Sequence, residues 1–432
     1  MKISISGIRG IFGKDLMLND VLKFSNNFSV LIKSKKCVVG TDTRLSRNII
    51  AETVKAGLMQ CGVDIYNLGV VPTPVVFRES RKYGAGIVVT ASHNPTEWNG
   101  LKMLIDGKGI NQEQLDLITN EQVTNKSKIG LENNINSAYV DEAAQIIGKV
   151  SDNPKVIVDV GGGSAKNIAS SLLQKIGCDV ITINNDLEKS SRGPDPTSDP
   201  LDELVSKSKD VDIGFAFDLD ADRLVVVKNG KKLSSDSTLG LGVAKALELG
   251  CKNFVLSLDT SISIEKYIKK KGGTVFRSKV GEVNVIEKIV ETQSCAGGEG
   301  SSGGFIFPDF NFCRDGILTS GLIVSLMRKD EFSDVLNLME KYHQIREKIE
   351  VGLEYQEKVL KNLFDILKEK YRNLQTLDGI KVIVDEDSWF LIRKSNTENI
   401  IRISTESNSL EDARNIHLQT KELVKQSYEQ IK

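Results

Sequence analysis

The chain has 432 residues, which suggests roughly two to four domains, and its 57 Lys and Arg against 58 Asp and Glu leave a formal net charge of −1. That balance gives no electrostatic basis for a nucleic-acid or anionic-membrane partner. Six scattered cysteines (Cys37, Cys61, Cys178, Cys251, Cys295, Cys313) without Cys-x-x-Cys spacing read as reduced thiols, and the three histidines are too few for a multi-histidine metal centre. The stretch Met1 to Ser6 has no signal-peptide core and the apolar run Ile317 to Met327 is too short to span a bilayer, so a soluble cytoplasmic protein is expected.

Taken in order, the chain repeats one pattern three times: an apolar strand, a helical stretch, a Gly-led second strand, then a third strand or loop with special residues. The first copy runs Cys37 to Asp42, Gly62 to Tyr66 and Gly86 to Ser92; the second Val156 to Asp159, Gly177 to Ile181 and Ile213 to Asp218; the third Phe254 to Asp259, Gly273 to Phe276 and Cys295 to Glu299. Strands alternating with helices imply largely parallel sheets with helices on both faces, and function at the carboxyl ends of strands. A spacing of about 100 residues is far beyond solenoid periods, so three separate α/β domains are expected. From about Gln356 an amphipathic helix (Val359, Leu360, Leu363, Phe364, Leu367), strands near Ile380, Phe390 and Ile400, and a closing helix from Leu410 predict an α+β tail. The expected domains are 1–152, 153–250, 251–352 and 353–432, with a charged helix from Arg346 to Glu357 near the last boundary.

Four segments carry chemistry. Thr90-Ala91-Ser92-His93-Asn94-Pro95 closes an apolar strand with a tight polar loop that exposes Ser92; an ordinary turn has the same composition. Asp218-Leu219-Asp220-Ala221-Asp222-Arg223 follows the apolar run Ile213 to Phe217. Carboxylates roughly 5 Å apart repel by about 3 kcal/mol at an effective dielectric near ~20, so three on one loop call for a cation, and all-oxygen ligation suits Mg²⁺. An EF-hand is excluded because Arg223 and Asn229 stand where its Gly and Glu are required. A solvated acidic turn, or a haloacid-dehalogenase-type phosphatase with Asp218 as nucleophile, would also fit this cluster. Gly297 to Gly304 sets Glu299 and Ser301 among glycines, offering acceptor and donor groups to a polyol, but lacks a P-loop ending. Gly161-Gly162-Gly163-Ser164 reads as a strand-to-helix turn. Arg393-Lys394-Ser395-Asn396-Thr397-Glu398-Asn399 with Arg402 suits a phosphate dianion, or is a hairpin with a charged strand.

In their order these segments resemble the α-D-phosphohexomutase family over nearly the whole chain. The serine loop matches with Asn99-Gly100 and Lys102 following, the metal loop at Asp218, Asp220, Asp222 and Arg223, the sugar loop at Gly298, Glu299 and Ser301, and the phosphate loop at Arg393, Ser395, Thr397, Glu398 and Arg402. Gly7-Ile8-Arg9-Gly10 looks like the family's N-terminal Arg turn and Val280-Gly281-Glu282 like its short third-domain loop, which adds Glu282 to the sugar site. The resemblance implies four domains around a cleft and a phosphorylated Ser92, with one Mg²⁺ bound by Ser92 and the three aspartates. It implies Arg9, Arg223 and Lys102 sharing charge, His93 and Lys102 as candidates for proton transfer, and Arg393, Ser395, Asn396, Thr397 and Arg402 holding the idle phosphate. The implied reaction interconverts hexose 1- and 6-phosphates through a hexose 1,6-bisphosphate, which also serves as activator. The partner is a small phosphosugar, with no nucleic acid and no membrane, and the chain is a monomer or homodimer. Gly-Gly-Glu-Gly with Phe305 to Pro308 and Arg314-Asp315-Gly316 looks most like the phosphoglucosamine mutase and phosphomannomutase/phosphoglucomutase branch. Ser302, Gly303, Asn396 and Asn399 depart from the family pattern, and Ser302, Asn396 and Asn399 motivate the reading as a non-catalytic phosphosugar-binding protein.

Overall fold

The computed structural model describes residues 1–120, 128–395 and 398–432. Among them, three sheets share one plan. In each, the first strand of the repeat lies centrally, the second pairs with it in parallel on one side, and the third does so on the other. These trios are Asp64–Val70, Lys36–Thr41 and Ala85–Val89; Asp179–Ile183, Lys155–Asp159 and Ile213–Phe217; and Thr274–Ser278, Asn253–Ser257 and Ala296–Glu299. Ala85–Val89 and Ile213–Phe217 are buried at every position, as parallel strands covered on both faces must be. The structure adds a fourth, antiparallel strand to each trio: Trp98–Ile105, Leu224–Lys228 and Gly304–Ile306. Each special loop is therefore the link between the third strand and this return strand, and all three lie at carboxyl ends.

The first sheet continues past Trp98–Ile105 to Gly7–Ile11 and Lys2–Ser4. Arg9, expected in a turn, lies on Gly7–Ile11 opposite Gly100. A Cβ on Gly100 would stand 2.2 Å from the Ile8 carbonyl oxygen and 3.0 Å from Arg9 Cα, so glycine is what lets this strand close on its neighbour.

The fourth sheet runs His343–Glu350, Ile400–Ser407, Trp389–Lys394, Ile380–Ile383, Leu374–Gln375 and is backed by the helices Leu353–Lys370 and Leu410–Ile431. The charged helix expected from Arg346 is corrected here. His343–Glu350 is an edge strand paired antiparallel with Ile400–Ser407, and its charges lie on a half-exposed face.

One apolar core joins the first three bodies, with Val75, Val158, Phe215, Leu256, Phe305 and Leu322 in a single cluster. At its centre is the helix Gly316–Leu326, apolar all round and almost wholly buried. The fourth body has its own core around Val359, Leu363, Phe390 and Ile401. A small cluster of Leu258, Trp389 and Leu391 ties it to the third. No helix among the described residues is long and apolar enough to cross a membrane.

Cys251 and Cys295 precede adjacent parallel strands with their Cα atoms 5.8 Å apart, while Cys37, Cys61, Cys178 and Cys313 are free.

Candidate active site

Ser92 stands at the end of Ala85–Val89 in a left-handed conformation with φ 53°, a backbone that a non-glycine residue adopts only when its surroundings impose it. The constraint comes from Arg44, a fully buried side chain absent from the sequence reading. Its guanidinium donates to the carbonyls of Ser92 (2.6 Å), Asn94 (2.7 Å) and Trp98 (2.9 Å) and to that of Pro95, and pairs with Asp42 at 3.0 Å. Asp42 also accepts from the Thr90 hydroxyl at 2.7 Å, and Thr90 in turn accepts from the Ser92 amide at 2.8 Å. The only sequence signal for Arg44 is its place two residues after Asp42, at a strand end.

Ser92 Oγ donates to Asp218 Oδ2 at 2.9 Å, which brings the serine and metal loops of two different sheets into contact. The other carboxylates are anchored from further bodies. Asp220 Oδ2 accepts from the Thr73 hydroxyl at 2.6 Å, at the start of the helix Thr73–Tyr83. Asp222 Oδ2 accepts from Arg314 Nη2 at 2.7 Å. The three carboxylates offer ligand atoms within 4.8 Å of one another. Asp220 Oδ1 and Asp222 Oδ1 are buried with no hydrogen-bond partner among the described residues. Orphaned carboxylate oxygens beside a third carboxylate are the donor set a small hard cation fills, so the residues fit Mg²⁺. Burial, then Asp220 and Asp222, push the Asp218 carboxyl well above the usual range when no cation is bound. Burial also opposes ionisation of Asp222, but Arg314, Lys102 and Arg223 hold it well below that range.

A ring of cations surrounds these acids. Lys102, on the return strand of the first sheet, donates to Glu282 Oε2 at 2.8 Å and lies 3.6 Å from Asp222 Oδ2. Burial works against its charge, yet Glu282 and Asp222 outweigh it and its pKa is raised. Arg314 donates from its backbone to Glu282 at 2.8 Å and from Nη1 to Glu299 at 3.2 Å while holding Asp222. It reaches across Gly304, where a Cβ would come within 2.2 Å of Arg314 Cδ. Arg314 was quoted from the sequence only as part of Arg-Asp-Gly; the structure makes it the bridge between the metal and sugar loops.

Arg223 donates its backbone amide to Asp218 Oδ1 at 3.1 Å and its Nη1 lies 3.3 Å from Asp195 Oδ2, a partner the sequence reading missed. Its Nη2 is 3.3 Å from His93 Nε2, while His93 Nδ1 is 3.3 Å from Ser92 Oγ. Burial and the charges of Arg223, Arg9 and Arg314 lower the His93 pKa below that of a free imidazole. Arg9 is half-buried, with Asp220 and Asp222 the carboxylates that act on its charge.

Glu299 accepts from the Gly281 amide at 2.6 Å, and its carboxyl is raised by burial. Ser301 lines a cavity of about 430 Å³ together with Asp259, Arg346, Lys348, Arg393 and Arg402. Arg393 pairs loosely with Asp378 (3.5 Å) and Arg402 with Glu398 (2.8 Å). The Ser395 hydroxyl accepts from the Glu398 amide at 3.1 Å. Asn396 and Thr397 lie outside the described residues. Two of the other departures, Asn399 and Gly303, have structural work. Asn399 Oδ1 accepts from the Leu353 amide at the start of a helix (3.2 Å), and Gly303 adopts φ 64° where a Cβ would stand 2.3 Å from the Leu224 carbonyl oxygen.

The structure thus gathers Ser92, His93, Arg9, Lys102, Arg223, the three aspartates, Glu282 and Glu299 at one junction. It sets Ser301, Arg393 and Arg402 along a second wall, with Ser395 just past the strand that carries Arg393.

Comparison with known proteins adds to this geometry. Family profiles described as phosphoglucomutase/phosphomannomutase alpha/beta/alpha domains I, II and III and C-terminal domain match residues 1–129, 137–231, 234–342 and 346–423. A probable phosphoglucosamine mutase of Methanosphaera stadtmanae is 36% identical, with 95% of each chain covered. A phosphoglucosamine/phosphogalactosamine mutase of Sulfurisphaera tokodaii is 30% identical, with 97% of this chain and 98% of the relative covered. The crystal structure of a phosphoglucomutase/phosphomannomutase family protein from Burkholderia thailandensis superposes with a TM-score of 0.85 at 26% identity, covering 99% of this chain and 98% of that one. The chain belongs to the α-D-phosphohexomutase family and is a mutase, an isomerase that moves a phosphoryl group within a hexose phosphate.

Proposed function

We propose that the chain interconverts the 1- and 6-phosphates of a hexosamine, with glucosamine as the sugar, using phosphorylated Ser92 as donor. The observation that carries this reading is Ser92 Oγ held 2.9 Å from Asp218 among carboxylates with free, buried oxygens. A phosphoserine there adds close to two negative charges at neutral pH, which only a cation and the surrounding guanidinium and ammonium groups could offset. Asp218, Asp220, Asp222 and the Ser92 phosphoryl group would hold Mg²⁺, which when bound supplies charge neutralisation for the transfer.

The chain's own groups do the rest. Arg9, Arg223 and Lys102 receive charge that develops on the phosphoryl oxygens, prepositioned so that no reorganisation is needed. As the bond from Ser92 Oγ to phosphorus breaks, a sugar hydroxyl takes the phosphoryl group and gives up its proton. That proton ends on Ser92 Oγ, the oxygen that leaves phosphorus; His93, whose Nδ1 is 3.3 Å from that oxygen, and Lys102, kept charged by Glu282, are the groups proposed to relay it. Glu299 and Ser301 hold the ring hydroxyls, and Arg393, Ser395 and Arg402, with Asn396 and Thr397, grip the idle phosphate. The bisphosphate so formed turns round, and the opposite phosphate returns to Ser92. A free hexose 1,6-bisphosphate would rephosphorylate any Ser92 that lost its group. Regripping requires the fourth body to move. The chain crosses into it at residues 340–342, just ahead of the strand His343–Glu350, and a hinge there would let it do so. We place the protein in the cytoplasm.

The choice of glucosamine rests on the names of the relatives. Phosphorus NMR on glucosamine, glucose and mannose phosphates with Mg²⁺ and a trace of bisphosphate tests it. Interconversion fastest for glucosamine supports the reading; release of inorganic phosphate as the main product contradicts it.

A further inference from the structure

The wall that would receive the idle phosphate contains a carboxylate out of keeping with its neighbours. Asp259 follows the strand Asn253–Ser257 and is 6% exposed, in a cavity whose lining also includes Arg346, Lys348, Arg393 and Arg402; the other carboxylate there, Glu347, already pairs with His417 and Lys421. Each of those arginines already has a carboxylate of its own: Arg346 pairs with Asp236 at 2.8 Å, Arg393 with Asp378 and Arg402 with Glu398. Asp259 forms no ion pair among the described residues. Its Oδ1 accepts from the Ser257 hydroxyl at 2.7 Å, the Ser301 hydroxyl also donates to its carboxylate, and its backbone carbonyl accepts from Arg346 at 3.3 Å. Burial opposes its ionisation, but Arg346, the Ser257 hydroxyl, Arg393 and the Ser301 hydroxyl outweigh that and keep it charged. Asp259 is thus kept charged by arginines that make their contact ion pairs with other carboxylates, so a cationic group on a ligand would give it a direct partner, whereas a phosphate beside it is repelled.

Resting on the mutase reading, we infer that Asp259 recognises the C2 ammonium of a hexosamine phosphate and so sets the enzyme's preference for an unmodified amino sugar. C2 adjoins C1. With a C1 phosphate against Arg393 and Arg402 and a ring hydroxyl at Ser301, the neighbouring C2 substituent would lie in the same cavity, whose lining includes Asp259. An ammonium there makes a charge-assisted hydrogen bond. A hydroxyl makes a weaker one, and an acetamido group brings bulk without charge.

The test compares kcat/KM for glucosamine 1-phosphate, glucose 1-phosphate and N-acetylglucosamine 1-phosphate in the wild type and in Asp259→Asn. The wild type is expected to favour glucosamine over both others, and the substitution to lower the glucosamine-to-glucose ratio by about tenfold or more. The wild-type ranking needs no variant, so a variant that fails to fold leaves the inference exposed to it. A wild type that turns over glucose as well as glucosamine, or a substitution that slows both sugars equally, overturns the inference while the mutase stands. Asp259 would then only position arginines. A wild type that interconverts none of the three sinks the mutase reading and this inference with it.

Discussion

Around Ser92 the charged side chains are almost wholly buried, whereas around Arg393 and Arg402 they are half open. Asp218 and Asp222 are 0% and 1% exposed and Lys102 is 7% exposed; Arg393 is 23% and Arg402 37% exposed. The first group is fixed from three sheets that share one apolar core, and the second sits on a body with a core of its own. The difference matches two tasks. Phosphoryl transfer needs charge placed in advance in a dry, rigid setting. A grip that must release one phosphate and take another needs cations held by weak, exchangeable partners, and surface ion pairs are such partners.

Predictions that break the buried half have the largest effects. Ser92→Ala should lower kcat on the order of 10⁴-fold or more, because no other hydroxyl replaces the donor; a steady-state mutase assay with bisphosphate present checks it. Chelation of divalent cations, or Asp222→Asn, should cost roughly 10²–10⁴-fold in kcat, with Mg²⁺ restoring the chelated wild type but not the variant. Arg314→Lys should lower kcat by about 10- to 100-fold, since a lysine cannot span Asp222 and Glu299 together. A purely structural role would instead lower thermal stability and leave kcat of the folded fraction unchanged. In the open half the sign of the split reverses. Arg402→Lys should raise KM by about tenfold or more and change kcat less, because the lost contact is to a phosphate that does not react.

The smallest effect concerns the joint between the halves. Lys381 is buried between the third and fourth bodies, donating to the Leu258 carbonyl at 2.7 Å with its ammonium 3.9 Å from the Trp389 ring centre. Burial, with Arg277 adding to it, lowers its pKa well below that of a free lysine, against the opposing pull of Glu406, Asp259 and Glu265. The unfolded chain keeps the ordinary value, so between the two it binds the extra proton and stability rises with pH towards about 10. Lys381→Met removes that dependence. Its stability advantage over the wild type should therefore shrink as pH increases, by up to about 1 kcal/mol per unit, in denaturant titrations at several pH values.

The sequence revealed what lies in one contiguous run. Ser92 and the three aspartates follow apolar strands directly, so strand-end position and residue type sufficed to find them. The repeated strand trios were legible for the same reason. What supports the loops was not, because each support arrives from a distant part of the chain. Arg44 acts on residues around 92–98, Thr73 on Asp220, and Arg314 on Asp222, and nothing local to these residues announces the contact. The strand His343–Glu350 was misread because an edge strand with one solvated face carries the charges of a surface helix. The return strands were missed because a loop of special residues hides the hairpin it closes.

The central claim is that the phosphoryl group resides on Ser92. Incubating the protein with hexose 1,6-bisphosphate, digesting it and locating the added group by mass spectrometry tests this directly. An acid-stable phosphoester on the Ser92 peptide, absent in Ser92→Ala and discharged by adding hexosamine phosphate, is the predicted result. An acid-labile acyl phosphate on the Asp218 peptide, formed equally in Ser92→Ala, would contradict the account and make the aspartate the nucleophile.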